Sequence, residues 1–410
     1  MRKVFFVFFI LITVFLLSGA GGSQRAAPSV QPTSFAEALE SARGKTVTFY
    51  GWGGDQAVNR WKDVVLGESL RERYNVTLRR VPMDAGDFVS KLMAERQAGL
   101  MSGDIDLVWI NGENFYAAKN AGLLWGPITH LVENFDRYIG ADDLDARYDF
   151  GTPIDGMEVP FGKAQLVFIA DSAVLSRFPA STQELMELAR QNPGRLTYPA
   201  PPDFVGSAFI RNIIYDIVGF DALFNAPTNE QAIYQVIRPA LDYLVALKPF
   251  LWQQGQTYPT SNTALDTMYV DGQVLMTMNY TPLYAAQRIA AGHFPPTSRT
   301  FLFERGNIGN THYVAIPFNA PNKDAALVLI NHIISPEMQI EKYDVSNWGD
   351  LPVFDVNRLS PAQRNLLDNI DNGIGILSPA ELQARRVPEV QAAKIPIIDR
   401  LWQTHVLGAR

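Results

Sequence analysis

Thr46-Val47-Thr48-Phe49-Tyr50-Gly51-Trp52-Gly53-Gly54-Asp55 is the stretch on which the reading of this 410-residue chain turns. Residues 46–50 are β-branched and aromatic, which predicts a strand. The strand breaks into a turn holding Gly51, Gly53 and Gly54, residues that let the backbone come close to another group. Trp52 is the only large side chain in that turn. Asp55 stands where it can cap the helix that Asn59-Arg60-Trp61 announces. Ligands in open α/β sheets sit outside the carboxyl ends of strands. Trp52, Gly53 and Asp55 are therefore candidate ligand contacts; a tight turn around a half-buried tryptophan is the plainer alternative.

Downstream the same rhythm returns. Residues 76–81 alternate as a strand, and residues 84–97 form a helix whose apolar stripe is Phe88, Leu92 and Met93. Leu107-Val108-Trp109-Ile110 is a continuous apolar run of the buried parallel kind. It ends in Asn111-Gly112-Glu113-Asn114-Phe115-Tyr116, a second strand end carrying polar groups and rings, which adds Asn111, Glu113 and Phe115 to the candidates. A β-α-β-α-β order implies a parallel sheet with helices on its faces.

Upstream, Arg2-Lys3, an apolar run over residues 4–17 and the small residues Ser18-Gly19-Ala20 have the make-up of a secretory signal peptide, here residues 1–20. An uncleaved anchor is the alternative, although the apolar run is short for a membrane span. Ala20 stands where a bacterial lipoprotein would carry its lipidated cysteine, which argues against a lipid anchor. A periplasmic or extracellular address follows. Residues 21–44 read as a flexible lead-in and a short helix, with Ser34 as N-cap and Glu37 three residues on. Cleavage after Ala20 removes two cations and no acids, taking the net charge from −7 to 33 − 42, or −9. Such an acidic chain is not composed as a nucleic-acid binder. Without cysteine there are no disulfides, thiolate metal sites or cysteine nucleophiles.

Residues 156–169 read as one extended run, long enough to connect two lobes, and include Lys163. Ser181 and Glu184 make a capping box for the next helix. Residues 195–199 predict a strand. Phe204-Val205-Gly206-Ser207-Ala208 opens a helix whose N-terminus could receive an anion, so Phe204, Gly206 and Ser207 are candidates; a plain capped helix is the equal alternative. Trp252 and Tyr258 lie among glutamines, and a strand over residues 274–280 ends in Asn279 and Tyr280. Asp266 and Asp271 read as capping or solvated acids. Asn322 caps a helix that Pro336 stops, and the last 60 residues are helical with proline breaks.

Taken in order, these features resemble the periplasmic solute-binding proteins of ABC importers, in the group that holds thiamine-, polyamine- and ferric-binding proteins. The resemblance is carried by residues 49–55, 106–115, Pro160-Phe161-Gly162, and Ala320-Pro321-Asn322-Lys323-Asp324-Ala325-Ala326 running into Ile334-Ser335-Pro336-Glu337. It implies a two-lobed α/β fold of type II, with crossover strands near residues 159–168 and 299–317 and a ligand held between lobes that close by hinge motion. Lobe 1 would be residues 45–158 plus 310–360, lobe 2 residues 159–309, and residues 361–410 C-terminal helices. Trp348 would lie near the hinge, facing the cleft. Partners would be a small-molecule solute and the importer's permease and ATPase, with the chain itself a monomer and no cofactor.

Relatives that bind thiamine or polyamines set aromatic faces and carboxylates against positive charge, and cations are attracted to such faces. The expected ligand is accordingly a cationic or zwitterionic organic solute, thiamine-like or polyamine-like. An oxyanion held by Gly206, Ser207 and Lys163 is the alternative within the fold. The adjacent tyrosines of ferric-binding relatives are missing, which disfavours iron, and no metal ligands are assigned. A ligand sensor is a further alternative. An exported hydrolase is remote, since neither a G-x-S-x-G nor an H-E-x-x-H pattern occurs.

Overall fold

The computed structural model describes residues 31–140 and 143–409. The expected signal peptide and most of the expected lead-in lie outside the described residues. The strand expected at the decisive stretch is β1 (Thr46–Gly51), parallel to β2 (Thr77–Pro82) on one side and β3 (Leu107–Ile110) on the other. The short β4 (Leu124–Trp125) and a small hairpin of β5 (Tyr148–Asp149) and β6 (Thr152–Pro153) follow. β7 (Glu158–Gln165) then runs almost without a break into β8 (Val167–Asp171). β8 is the middle of a second, three-stranded antiparallel sheet, flanked by β9 (Met276–Asn279) and β10 (Ser298–Phe301). The long β11 (Asn307–Pro317) leads back, pairing with β7, β3 and β4 and, at its start, with β12 (Arg386–Pro388).

This is the two-lobed type II fold. The core residues mark where the chain changes lobe. Val159 and Phe161 of β7 and Val314 and Ile316 of β11 are buried in the first lobe. Ala164, Leu166 and Ile308 are buried in the second. The crossing therefore lies at residues 162–163 in β7 and 309–312 in β11, where Gly162 faces His312, Lys163 faces Thr311 and Ala164 faces Asn310. The chain's last residues are built into the second lobe. Ile398, Leu401 and Trp402 are buried in its core, and the Trp402 indole donates to the Tyr198 hydroxyl at 3.0 Å.

Several local readings are modified. Residues 195–199 form no strand. Their backbone bonds go singly to Asn192, Trp252 and Leu275, and Pro199 has no N–H to continue a ladder. Ser181 does cap the helix Thr182–Gln191, but the Glu184 carboxylate accepts from Ala180 N and not from the cap residue. Pro336 is the first residue of a new helix, Pro336–Tyr343, capped by Ser335, as suits a residue without a donor at a helix start. Among the described residues no helix is long and apolar enough to cross a membrane.

One buried acid stands out. Glu158 is fully buried, and neither carboxylate oxygen has a hydrogen-bond partner among the described residues. Burial pushes its carboxyl well above the ordinary 4.5, the charge of Asp149 adds to the rise, and Lys119 opposes it. A raised folded value means the folded chain keeps a proton that the unfolded chain releases. Stability is then lost as pH climbs from about 4.5 towards the folded value, by up to ~1.4 kcal/mol per pH unit. Glu158→Gln is expected to flatten this slope between pH 5 and 7 in urea-unfolding titrations. Parallel slopes for both proteins would refute it.

Candidate functional site

The first-lobe wall is built around the Gly51–Asp55 turn. Gly51 is required because a Cβ there would lie 2.8 Å from the Cβ of Trp109 on the adjacent strand. Trp109 packs edge-on to Trp52 with ring centroids 6.4 Å apart, and Trp52 remains 46% exposed at the lip. Below them, the buried Lys62 amine donates to the Trp52 carbonyl at 2.9 Å and lies 4.9 Å from the Trp109 ring centroid. Burial lowers this amine to about 7. Lys62 sits in a π turn, Trp61–Leu66, where the wider winding accompanies two successive buried side chains, Trp61 and Lys62. Asp55 caps the helix Gln56–Arg60, its Oδ1 accepting from Ala57 N and Val58 N at 2.8 and 3.0 Å.

The second-lobe wall is the start of the helix Phe204–Val218. Phe204 is 39% exposed, and its ring packs on Tyr280 at 5.0 Å. Beneath them lies a buried ionic network. Arg211 is gripped by both oxygens of Glu389, at 2.9 and 2.8 Å, and Tyr280 donates its hydroxyl to Glu389 at 2.8 Å. Arg211 also donates to Ser207 Oγ, which in turn donates to Asp399, both at 2.6 Å.

The walls act on each other electrically. Burial raises the Glu113 carboxyl; its own backbone N–H and Arg211 pull it back, while Glu389 and Asp399 of the opposite wall push it up. Asp266, at the base of the second lobe, is pushed up to about 6 by burial. The hydroxyls of Thr277 and Tyr284, donating at 2.6 and 2.7 Å, and the charge of Arg288 oppose that rise, and Asp55 in the first lobe adds to it. Carboxylates of the two lobes thus lie within electrostatic reach of one another, Glu113 of Glu389 and Asp399, and Asp266 of Asp55.

The other candidates have settled places. Phe115 is wholly buried in the first-lobe core. Trp348 is buried among Trp61, Trp109 and Phe161 and stacks on His312 at the crossing, with ring centroids 6.1 Å apart. Tyr258 packs between Tyr198 and Trp402, and Trp252 lies on the same second-lobe core. Asn111 precedes the helix Gly112–Asn120, but the helix is capped by Asp149, which accepts from Gly112 N at 2.6 Å. Asn279 closes a local turn on Thr281 N. Gly53 abuts Pro82, where a Cβ would come within 2.7 Å. Gly206 is pressed on Pro199, Ser207 is committed to Asp399, and Lys163 pairs with Asp143 at 2.7 Å, so each of the three oxyanion candidates is already engaged within the protein. Asp266 accepts in the interior and is not solvated, whereas Asp271 ends its helix as expected.

At the crossing, a buried ion pair supports the strands. Lys342 reaches Asp350 at 2.8 Å and the Phe161 carbonyl at 2.5 Å, and His312 Nε2 lies 3.5 Å from Asp350. Burial alone would raise the Asp350 carboxyl, but Lys342 and His312 outweigh it and hold it below its ordinary range.

Trp109, Arg211, Glu389 and Asp399 escaped the sequence reading. Trp109 had a signal: a tryptophan on a strand next to one that ends in glycine. The others pair across the length of the chain and leave none. Among the described residues, no group of three or more His, Asp or Glu side chains is placed to hold a metal ion.

Comparison with known proteins follows this geometry. The profile of the bacterial extracellular solute-binding protein family matches residues 66–363. Protein YnjB of Escherichia coli K12 is 38% identical over 335 residues, 81% of this chain and 86% of that one. Among solved structures, the periplasmic binding protein AfuA of Actinobacillus pleuropneumoniae, with fructose-6-phosphate bound, aligns with a TM-score of 0.62 at 14% identity, over 89% of this chain and 99% of its own. A periplasmic thiamin binding protein aligns at 0.58 and 18%, over 89% and 96%.

Proposed function

Since this chain belongs to the bacterial extracellular solute-binding proteins, the substrate-binding components that serve ABC permeases and their ATPases, we propose that it captures a cationic or zwitterionic organic solute between its lobes. Closure about the β7–β11 crossing brings the walls onto the ligand.

The charge balance of the facing walls carries the reading. Arg211 is tied to Glu389 and Ser207, and although Arg211 and Arg288 offset part of the negative charge, Glu113 of the first lobe feels Asp399 of the second, and Asp266 of the second feels Asp55 of the first. Bringing like charges together in a partly dry space is unfavourable, and a cation supplies the missing counter-charge. Trp52 and Phe204 offer exposed rings against which it can lie. AfuA takes a sugar phosphate and the thiamin binding protein a cation; the acids here favour the second chemistry. The engagement of Gly206, Ser207 and Lys163 weighs against an oxyanion.

The test is a thermal-melt screen of ligand-stripped protein with thiamine, spermidine, putrescine, choline, ferric citrate, molybdate and phosphate. A ligand at a hundredfold over its Kd adds about 2.7 kcal/mol, a shift of several degrees. A cation is expected to give that shift, and Asp55→Ala with Glu113→Ala to weaken it at least about tenfold. A shift with phosphate or molybdate alone, or undiminished cation binding by the double variant, would overturn the reading.

A further inference from the structure

We propose that Asn310 is a ligand contact on the floor between the lobes, where its carboxamide reads a flat group that presents a hydrogen-bond donor beside an acceptor, as an aminopyrimidine or a primary amide does. The proposal rests on the cation reading above and adds to it a second recognition element.

Asn310 lies at the crossing itself. β11 is anchored in the second lobe up to Ile308, whose N–H donates to Asn212, and in the first from Tyr313, which pairs with Ile110. Side chains alternate along a strand. Gly309 faces the Arg386 side chain, so Asn310 projects to the opposite side, the side of His312. The His312 ring packs on Trp109 at 4.9 Å, and Trp109 on Trp52 at the lip. Asn310 thus stands at the foot of the aromatic wall.

Asn310 is only 4% exposed, yet neither its Oδ1 nor its Nδ2 has a hydrogen-bond partner among the described residues. An unpaired buried amide is costly, and few are kept without a reason. The same strand shows what a structural asparagine does. Asn307 uses both ends, accepting from Phe303 N at 3.0 Å and donating to the Leu166 carbonyl at 2.9 Å. Nδ1 of His312, on the same side as Asn310, is likewise unpartnered. A carboxamide offers a donor and an acceptor in one plane, and pairs bidentately with a heteroaromatic edge carrying the complementary set. A ring held there would also meet the Trp109–Trp52 wall.

The experiment compares thiamine with 3-benzyl-5-(2-hydroxyethyl)-4-methylthiazolium, which keeps the cationic ring and replaces the aminopyrimidine by benzene. Calorimetry on the wild type is expected to show thiamine bound at least about tenfold tighter, and Asn310→Leu to bring the two within about twofold. The empty Asn310→Leu protein is expected to melt no lower than wild type, because the substitution removes an unpaired amide. Equal binding of both cations by the wild type would overturn the proposal and leave the cation reading standing. A markedly lower melting temperature of empty Asn310→Leu would mark the amide as structural and overturn it too. If neither cation binds, this proposal is overturned, while a melting shift with spermidine, putrescine or choline keeps the cation reading standing.

Discussion

Replacing Glu389 by alanine is expected to cost about 3–5 kcal/mol of folding stability, the range seen when one member of a buried ion pair is removed. Arg211 is left charged in the interior with Ser207 as its remaining side-chain partner, and the Tyr280 hydroxyl loses its acceptor. The double variant Arg211→Met with Glu389→Leu is expected to regain most of the loss, because apolar groups of similar volume carry no desolvation penalty. Urea unfolding followed by tryptophan fluorescence measures both. A loss under about 1 kcal/mol for the single variant, the size of a surface pair, would mean that the network is wetter than described.

The second large effect is expected at Gly162. A Cβ there would stand 2.1 Å from Asp350 Oδ2, 2.8 Å from Lys342 Nζ and 2.9 Å from His312 Cδ2. Gly162→Ala must therefore push apart a fully buried ion pair, and a loss of about 3–5 kcal/mol follows on the same grounds. Gly86 provides the internal control. It lies in the helix Ala85–Gln97, and its Cβ would meet nothing nearer than Asn114 Oδ1 at 4.0 Å. There the same substitution is expected to stabilise by about 0.5–1 kcal/mol, the helix preference of alanine over glycine. If both variants shift stability in the same direction, the crowding at the crossing has been misjudged.

The parts of this molecule that were readable in the sequence are those that local rules decide. Strand, glycine turn and helix cap follow one another within residues 46–60, so the Trp52 lip and the Asp55 cap could be placed from their neighbours. The first crossing was readable as one long extended run over residues 156–169, and the second came from the resemblance to the solute-binding proteins. What escaped depends on distance along the chain. Arg211 and Glu389 are 178 residues apart, and Ser207 and Asp399 are 192 apart; nothing near any of them announces its partner. Aromatic residues misled for a different reason. Tyr258, Phe115 and Trp348 carry the same side-chain chemistry as surface rings, and only the packing around them, such as the Trp61–Trp348–Trp109 stack, decides that they are core.

The placement of the C-terminal residues has a consequence for the order of assembly. A chain made from its N-terminus onward has most of the second lobe early, including Tyr198, Ser207 and Arg211, but it lacks the partners those residues need. Glu389, Asp399 and Trp402 arrive only with the last stretch. Until then the lobe holds an uncompensated guanidinium and an open apolar seam, which disfavours early closure of its core. Residues 389–402 are thus a late clasp on the second lobe: a chain cut before Glu389 is expected to leave that lobe open to protease, and an unchanged digestion pattern would show that its core closes without them.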